Sequence, residues 1–171
     1  KFITKILVSL KMLPVYRISE GAENLGHNYK TFDACKEIFK KNGIVLIFSE
    51  GRCVNEWHLR PLKKGTARLA FSSWEMGIPL KILPLGINYN SFTKFGTNVQ
   101  LNFGEIIKPE DYGDINSSFG KNIAAFNADL EKQLKQLVIE LDKNDTELID
   151  KTFSVPVKKK KKILLSIPAA L

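Results

Sequence analysis

The chain has 171 residues, 44% of them hydrophobic and 26% charged, an ordinary balance for one globular domain with a proper core. Its formal net charge is +8, but Lys158–Lys162 hold five of those charges, so the body is only mildly basic and lacks the footprint and motifs of a nucleic-acid binder. Cys35 and Cys53 are too few for a disulfide framework and sit in no metal-ligand spacing, which makes a reducing, cytoplasmic setting the default.

In chain order, apolar Phe2, Ile3, Ile6, Leu7 and Leu10 predict a helix over 1–12, ended by Pro14. Residues 19–27 are a polar loop. Residues 28–41 repeat the helical stripe through Phe32, Cys35, Ile38 and Phe39, with Gly43 as the stop. Ile44–Phe48 is a continuous apolar run, the pattern of a strand buried on both faces. A polar connection over 49–61 leads into a helix over 64–76, with Ala67, Ala70, Phe71 and Trp74 inward and Gly77 as its cap. Ile82–Ile87 is a second buried strand with a proline at position 84, and Asn98–Phe103 an edge-like third. The longest helix runs over 119–143 through Ile123, Phe126, Leu130, Leu134, Leu137 and Leu141.

This alternation predicts an α/β fold: a single domain over 1–143, with a mixed sheet flanked by helices. Residues 144–171 are a linker and tail. There Lys158–Lys162 precede the apolar Ile163–Leu171, a combination that reads as a membrane-surface anchor, against the plainer reading of a solvated basic tail. No secretory signal and no transmembrane helix is evident in the chain.

The chemistry concentrates at Phe48-Ser49-Glu50-Gly51-Arg52-Cys53, directly after the first apolar run. Ligands of open α/β sheets bind beyond strand carboxyl ends. Glu50 stands there, and Gly51 lets backbone approach a ligand. Farther on, Lys63-Lys64-Gly65 precede a helix N-terminus, where free N–H groups and the helix dipole attract anions. A carboxylate and several cations around one strand end suit a substrate bearing both a hydroxyl and a phosphate. Taken singly, Glu50 is an ordinary solvated carboxylate and Arg17 a surface ion-pair partner; their context favours a site.

This stretch resembles the third motif of the glycerolipid (lysophosphatidate-type) acyltransferases, Phe-Pro-Glu-Gly-Thr-Arg-Ser followed by a Pro-Phe-Lys-Lys-Gly segment, and the spacing to Lys63-Lys64-Gly65 matches the family's without a gap. Leu83-Pro84-Leu85-Gly86-Ile87 resembles the fourth motif, and Leu13-Pro14-Val15-Tyr16-Arg17 the second. The three occur in the family's order. The resemblance implies that Glu50 and Gly51 hold the region of the acceptor hydroxyl. It has Arg17 with Lys63 or Lys64 bind the phosphate, and Pro84 shape the channel. Ser49, Arg52 and Cys53 depart from the pattern; Arg52 stands one position before the place of the motif arginine, so its phosphate role differs in aim.

The resemblance further implies acyl transfer from acyl-CoA or acyl-carrier protein to a glycerophosphate or lysophospholipid acceptor in phospholipid biosynthesis. No bound cofactor or metal is needed. The partners are acceptor, acyl donor and an anionic membrane surface, not nucleic acid, and the protein is placed at the cytoplasmic face of the membrane, peripheral or anchored. The family's base belongs to a His-x4-Asp pair. His27 and His58 lack that spacing, so no catalytic residue is assigned within the chain and the pair is expected upstream of Lys1. The alternative is a non-catalytic lipid- or membrane-binding module of the same fold.

Overall fold

The computed structural model describes residues 2–15, 27–113, 119–142 and 144–153. Arg17 and the tail from residue 154 lie outside them. The elements are α1 (Phe2–Ser9), α2 (His27–Lys40), α3 (Gly65–Trp74), β1 (Leu85–Tyr89), β2 (Val99–Phe103), a short 3-10 helix (Pro109–Tyr112), α4 (Phe119–Leu137) and α5 (Thr146–Phe153).

The helical stripes find their core. Ala67, Ala70, Phe71 and Trp74 of α3 pack with Ile107 and with Ile123, Phe126 and Leu130 of α4. Two alanines on the α3 face let the helices approach closely, and the ring of Phe71 fills the centre. It lies edge-on to Trp74 at 5.0 Å, to Tyr112 at 5.6 Å and to Phe126 at 6.1 Å between centroids, the arrangement aromatic quadrupoles favour. Gly77, with φ +72°, closes α3 as its pattern predicts.

β1 and β2 pair antiparallel, Leu85 opposite Phe103 and Tyr89 opposite Val99. The proline is tolerated because it precedes β1 and only its carbonyl is used, accepting the Gly104 N–H at 2.9 Å. Along β1, Gly86 and Asn88 face inward. Asn88 is 3% exposed. Its Nδ2 donates to the Leu137 carbonyl at 3.0 Å, its Oδ1 accepts the Ile139 N–H at 2.7 Å, and Asn102 donates to the same Leu137 carbonyl at 2.8 Å. Two strand asparagines thus satisfy a carbonyl that every helix C-terminus leaves orphaned. This is why α4 ends at Leu137 and not near 143. Leu141 then lies in an extended bridge to Trp57.

The mixed α/β, single-domain expectation holds; among the described residues the sheet has two strands. Four local expectations are corrected. Ile44–Phe48 is neither paired nor buried: Ile44 is 93% and Phe48 69% exposed. No described strand lies beside the run, so its apolar side chains lack the second and third layers that a buried strand requires. Asn42, with φ +57°, takes the left-handed position after α2. Gly43 is needed for a close approach instead, since a Cβ there would lie 2.9 Å from the Ile38 carbonyl oxygen. α1 ends at Ser9, before Pro14, because Lys11 turns left-handed with φ +57°. Within the stretch read as linker, α5 forms and buries Ile149 and Phe153.

Candidate functional site

Phe48 to Gly51 form a tight turn in which the Gly51 N–H donates to the Phe48 carbonyl at 3.1 Å. Gly51 has φ +67°, a backbone region costly for any residue with a Cβ. The turn is fastened to the start of α3 twice. The Lys63 N–H donates to the Ser49 carbonyl at 2.7 Å, and the Ser49 and Thr66 hydroxyls share a hydrogen bond at 2.8 Å. Ser49, which replaces a motif proline, therefore supplies a tether that proline could not. The Gly51 Cα hydrogen faces Lys63, whose Cγ would be 3.1 Å from an added Cβ.

Glu50 is half-buried in this turn. Burial pushes its carboxyl above the ordinary value, against the opposing pull of a hydrogen bond from the Arg60 backbone and of the nearby Arg60 and His58 charges. Arg60 is itself held by Glu56, Nη1 to Oε2 at 2.9 Å, and the same carboxylate oxygen lies 3.1 Å from His58 Nε2. Glu50 thus sits against a cationic group that a second carboxylate orients. Sequence reasoning missed Glu56 and Arg60, and weighed His58 only as a base, rejecting it for lack of the motif spacing. Their only sequence signal is the opposite charge of Glu56 and Arg60 four positions apart, and outside a helix that spacing predicts no contact.

At the N-terminus of α3, Lys64 is the N-cap residue and makes no side-chain cap bond. Lys63 and Lys64 are both exposed. Two exposed ammonium groups therefore stand beside helix N–H groups that no side-chain cap occupies, an arrangement suited to a phosphate. Nothing lies within 4 Å of the place a Gly65 Cβ would take, so packing does not demand glycine there.

An open groove of about 540 Å³ adjoins the cluster, lined by Glu56, Trp57, His58, Glu140, Leu141 and Asp142 among others. Its three carboxylates against one histidine give it the wrong sign for a phosphate, so the lysine side of the Glu50 turn is the better anion site.

Of the sequence-predicted residues, the structure brings together Glu50, Gly51, Lys63 and Lys64. Arg52 is exposed on the turn. Pro84 is buried and packs against Gly104, which gives it a packing role under the sheet. Arg17 lies outside the described residues. Cys53, at the place of the motif arginine, is exposed. Cys35 is buried, and burial raises its thiol pKa, which disfavours the reactive thiolate there.

No curated protein and no solved structure is found to match the chain. The family model described as Acyltransferase matches residues 1–88, a span that holds the Glu50 turn, Lys63, Lys64 and Pro84. With half its length under that match and its chemistry-bearing turn inside it, the chain belongs to the acyltransferase family.

Proposed function

We propose that the protein serves acyl transfer from an acyl-CoA or acyl-carrier thioester to the hydroxyl of a glycerophosphate or lysophosphatidate-type acceptor, in phospholipid synthesis at the cytoplasmic membrane face. The observation that supports this is the joining of one half-buried carboxylate, Glu50, to the lysine-bearing N-terminus of α3 through Ser49, Lys63 and Thr66. Glu50 accepts a hydrogen bond from the glycerol hydroxyl region of the acceptor. Lys63 and Lys64, with the N–H groups of α3, neutralise its phosphate. In the transfer, the acceptor oxygen bonds to the thioester carbonyl carbon, the carbon–sulfur bond breaks, and the thiol leaves. The proton of the acceptor hydroxyl passes to a base and then to the departing sulfur.

A second reading, a lipid-binding module without turnover, is favoured by one observation. Neither histidine has the His-x4-Asp spacing, and His58 is engaged with Glu56. Two measurements test the site and separate the readings. Calorimetric titration with 1-acylglycerol-3-phosphate is expected to show binding that Glu50→Ala weakens and the double change Lys63→Ala with Lys64→Ala weakens further. Unchanged binding in both variants refutes the site. Thiol release from oleoyl-CoA in the presence of that acceptor, measured on the gene's full open reading frame because the base is expected upstream of Lys1, supports the enzyme reading, and binding without release there supports the module.

A further inference from the structure

We infer that Arg60, held in place by Glu56, is a positioning residue for Glu50: it keeps Glu50 a charged carboxylate, ready to accept the hydrogen bond of the acceptor hydroxyl. The inference rests on the reading of Glu50 as the group that meets the acceptor.

Arg60 meets Glu50 through two groups. Its backbone N–H donates to the carboxylate, and its guanidinium charge lies near enough to favour the anion. The backbone bond fixes where the residue sits, but an arginine side chain is long and gains entropy by swinging into water. Glu56 removes that freedom, with Oε2 2.9 Å from Arg60 Nη1. The two side chains are only 32% and 26% exposed, so the pair is screened less than one on the open surface. His58 Nε2 lies 3.1 Å from the same Glu56 oxygen and, when protonated, is the second cation facing Glu50.

The loop that carries these residues is fastened on both sides. The Trp57 Nε1–H donates to the Tyr89 carbonyl of β1 at 2.6 Å, the Trp57 ring lies 4.4 Å from that of Phe92, and the Leu141 N–H donates to the Trp57 carbonyl at 2.9 Å. At the other end, the Lys63 N–H holds the Ser49 carbonyl at 2.7 Å. Arg60 stands between these two anchors, with Glu56 just ahead of the first. The path of the loop thus brings together a pair that helix or strand periodicity does not.

The consequence is chemical. An ionised carboxylate only accepts, and it makes a charge-assisted hydrogen bond; a protonated one presents its own O–H and loses that strength. Burial favours the protonated form of Glu50, and Arg60 and His58 oppose it. Lys63, whose stem borders Gly51, lies on the other side of the turn. With the guanidinium released, Glu50 takes up its proton at higher pH, and acceptor binding weakens sooner as pH falls.

The test follows the Glu50 carboxyl itself by carbon-detected NMR titration of the whole chain, its signal assigned by its loss in Glu50→Gln. Arg60→Gln is expected to titrate at higher pH than wild type. Arg60→Lys, which keeps the charge and can still pair with Glu56, is expected to stay near wild type; a rise equal to that of Arg60→Gln overturns the inference. Glu56→Gln gives the sharpest readout. Removing a nearby negative charge by itself lowers the pKa of a carboxyl, whereas releasing Arg60 raises it. A rise supports the positioning role, and a fall or no change overturns it. All three variants retain the backbone N–H at position 60, and circular dichroism checks their fold; if Glu56→Gln does not fold, the two Arg60 variants decide. In calorimetric titration with 1-acylglycerol-3-phosphate at mildly acid pH, Arg60→Gln and Glu56→Gln should each bind roughly threefold to tenfold more weakly than wild type, and the gap should narrow in alkaline buffer. The comparison at each pH cancels the titration of the acceptor's own phosphate. The NMR readout needs no ligand. Acceptor binding that Glu50→Ala weakens, with an unmoved Glu50 titration in the variants, sinks the inference and leaves the acceptor reading. The expected titrations in a chain that binds no acceptor sink that reading and leave the coupling of Arg60 to Glu50.

Discussion

Gly51 and Gly65 flank the same turn, and the structure predicts opposite consequences for the same change at each. Gly51→Ala places a Cβ on a backbone with φ +67°, 3.1 Å from Lys63 Cγ. The left-handed region costs an alanine roughly 1–2 kcal/mol. The contact adds little, since a lysine methylene can swing aside. Gly65→Ala meets no atom within 4 Å and no positive φ at the first residue of α3. Both substitutions restrict the unfolded chain, which by itself stabilises by about 0.4–1 kcal/mol. That gain is common to both and cancels in the comparison. Gly65→Ala is therefore expected to unfold at higher denaturant than wild type and Gly51→Ala at lower, with about 1–2 kcal/mol between them. For a chain of this size the gap corresponds to a few degrees in Tm, about 2–4 °C per kcal/mol. Urea titrations followed by far-ultraviolet circular dichroism measure it, with equal slopes as the check that only stability changed. Coincident midpoints, or a more stable Gly51→Ala, would refute the reasoning that this turn is built around a left-handed residue.

Three further outcomes follow from the same geometry. Glu50 has its carboxyl raised by burial, so between its unfolded and folded pKa values the native state binds the extra proton, and stability falls as pH rises through that window. Glu50→Gln should therefore raise Tm at neutral pH, and the advantage should close as pH is lowered into the carboxylate range; a constant difference across pH would count against it. Asn88→Ala removes two hydrogen bonds at a buried position and leaves the Ile139 N–H without its partner, at a cost of about 2–4 kcal/mol in chemical denaturation, whereas Asn102→Ala leaves Asn88 on the Leu137 carbonyl and should cost about half as much or less. Phe71→Ala empties the centre of the core and should cost about 3–5 kcal/mol, and a loss under 1 kcal/mol would show that α3 and α4 are not packed through that ring.

The sequence by itself determined α3 and α4 and the side of each that is buried. The spacing of Ala67, Ala70, Phe71 and Trp74, and of Ile123, Phe126 and Leu130, gives one apolar stripe per helix, and a stripe must be covered whatever covers it. The fixed spacing of the motif also indicated that the Glu50 turn and Lys63 lie together, as the bond from the Lys63 N–H to the Ser49 carbonyl shows. Periodicity reports which face is apolar but not what lies opposite. Only the tertiary structure decided that Ile44–Phe48 stays unpaired among the described residues, that two asparagines from different strands end α4 at Leu137, and that Ile149 and Phe153 draw α5 out of a stretch read as linker. Likewise, Glu50 meets Arg60, Arg60 meets Glu56, and Arg52 points to solvent, although Arg52 is the nearer in sequence. These outcomes depend on contacts between residues far apart in the chain or on the path of an irregular loop, and neither leaves a repeating pattern in the sequence.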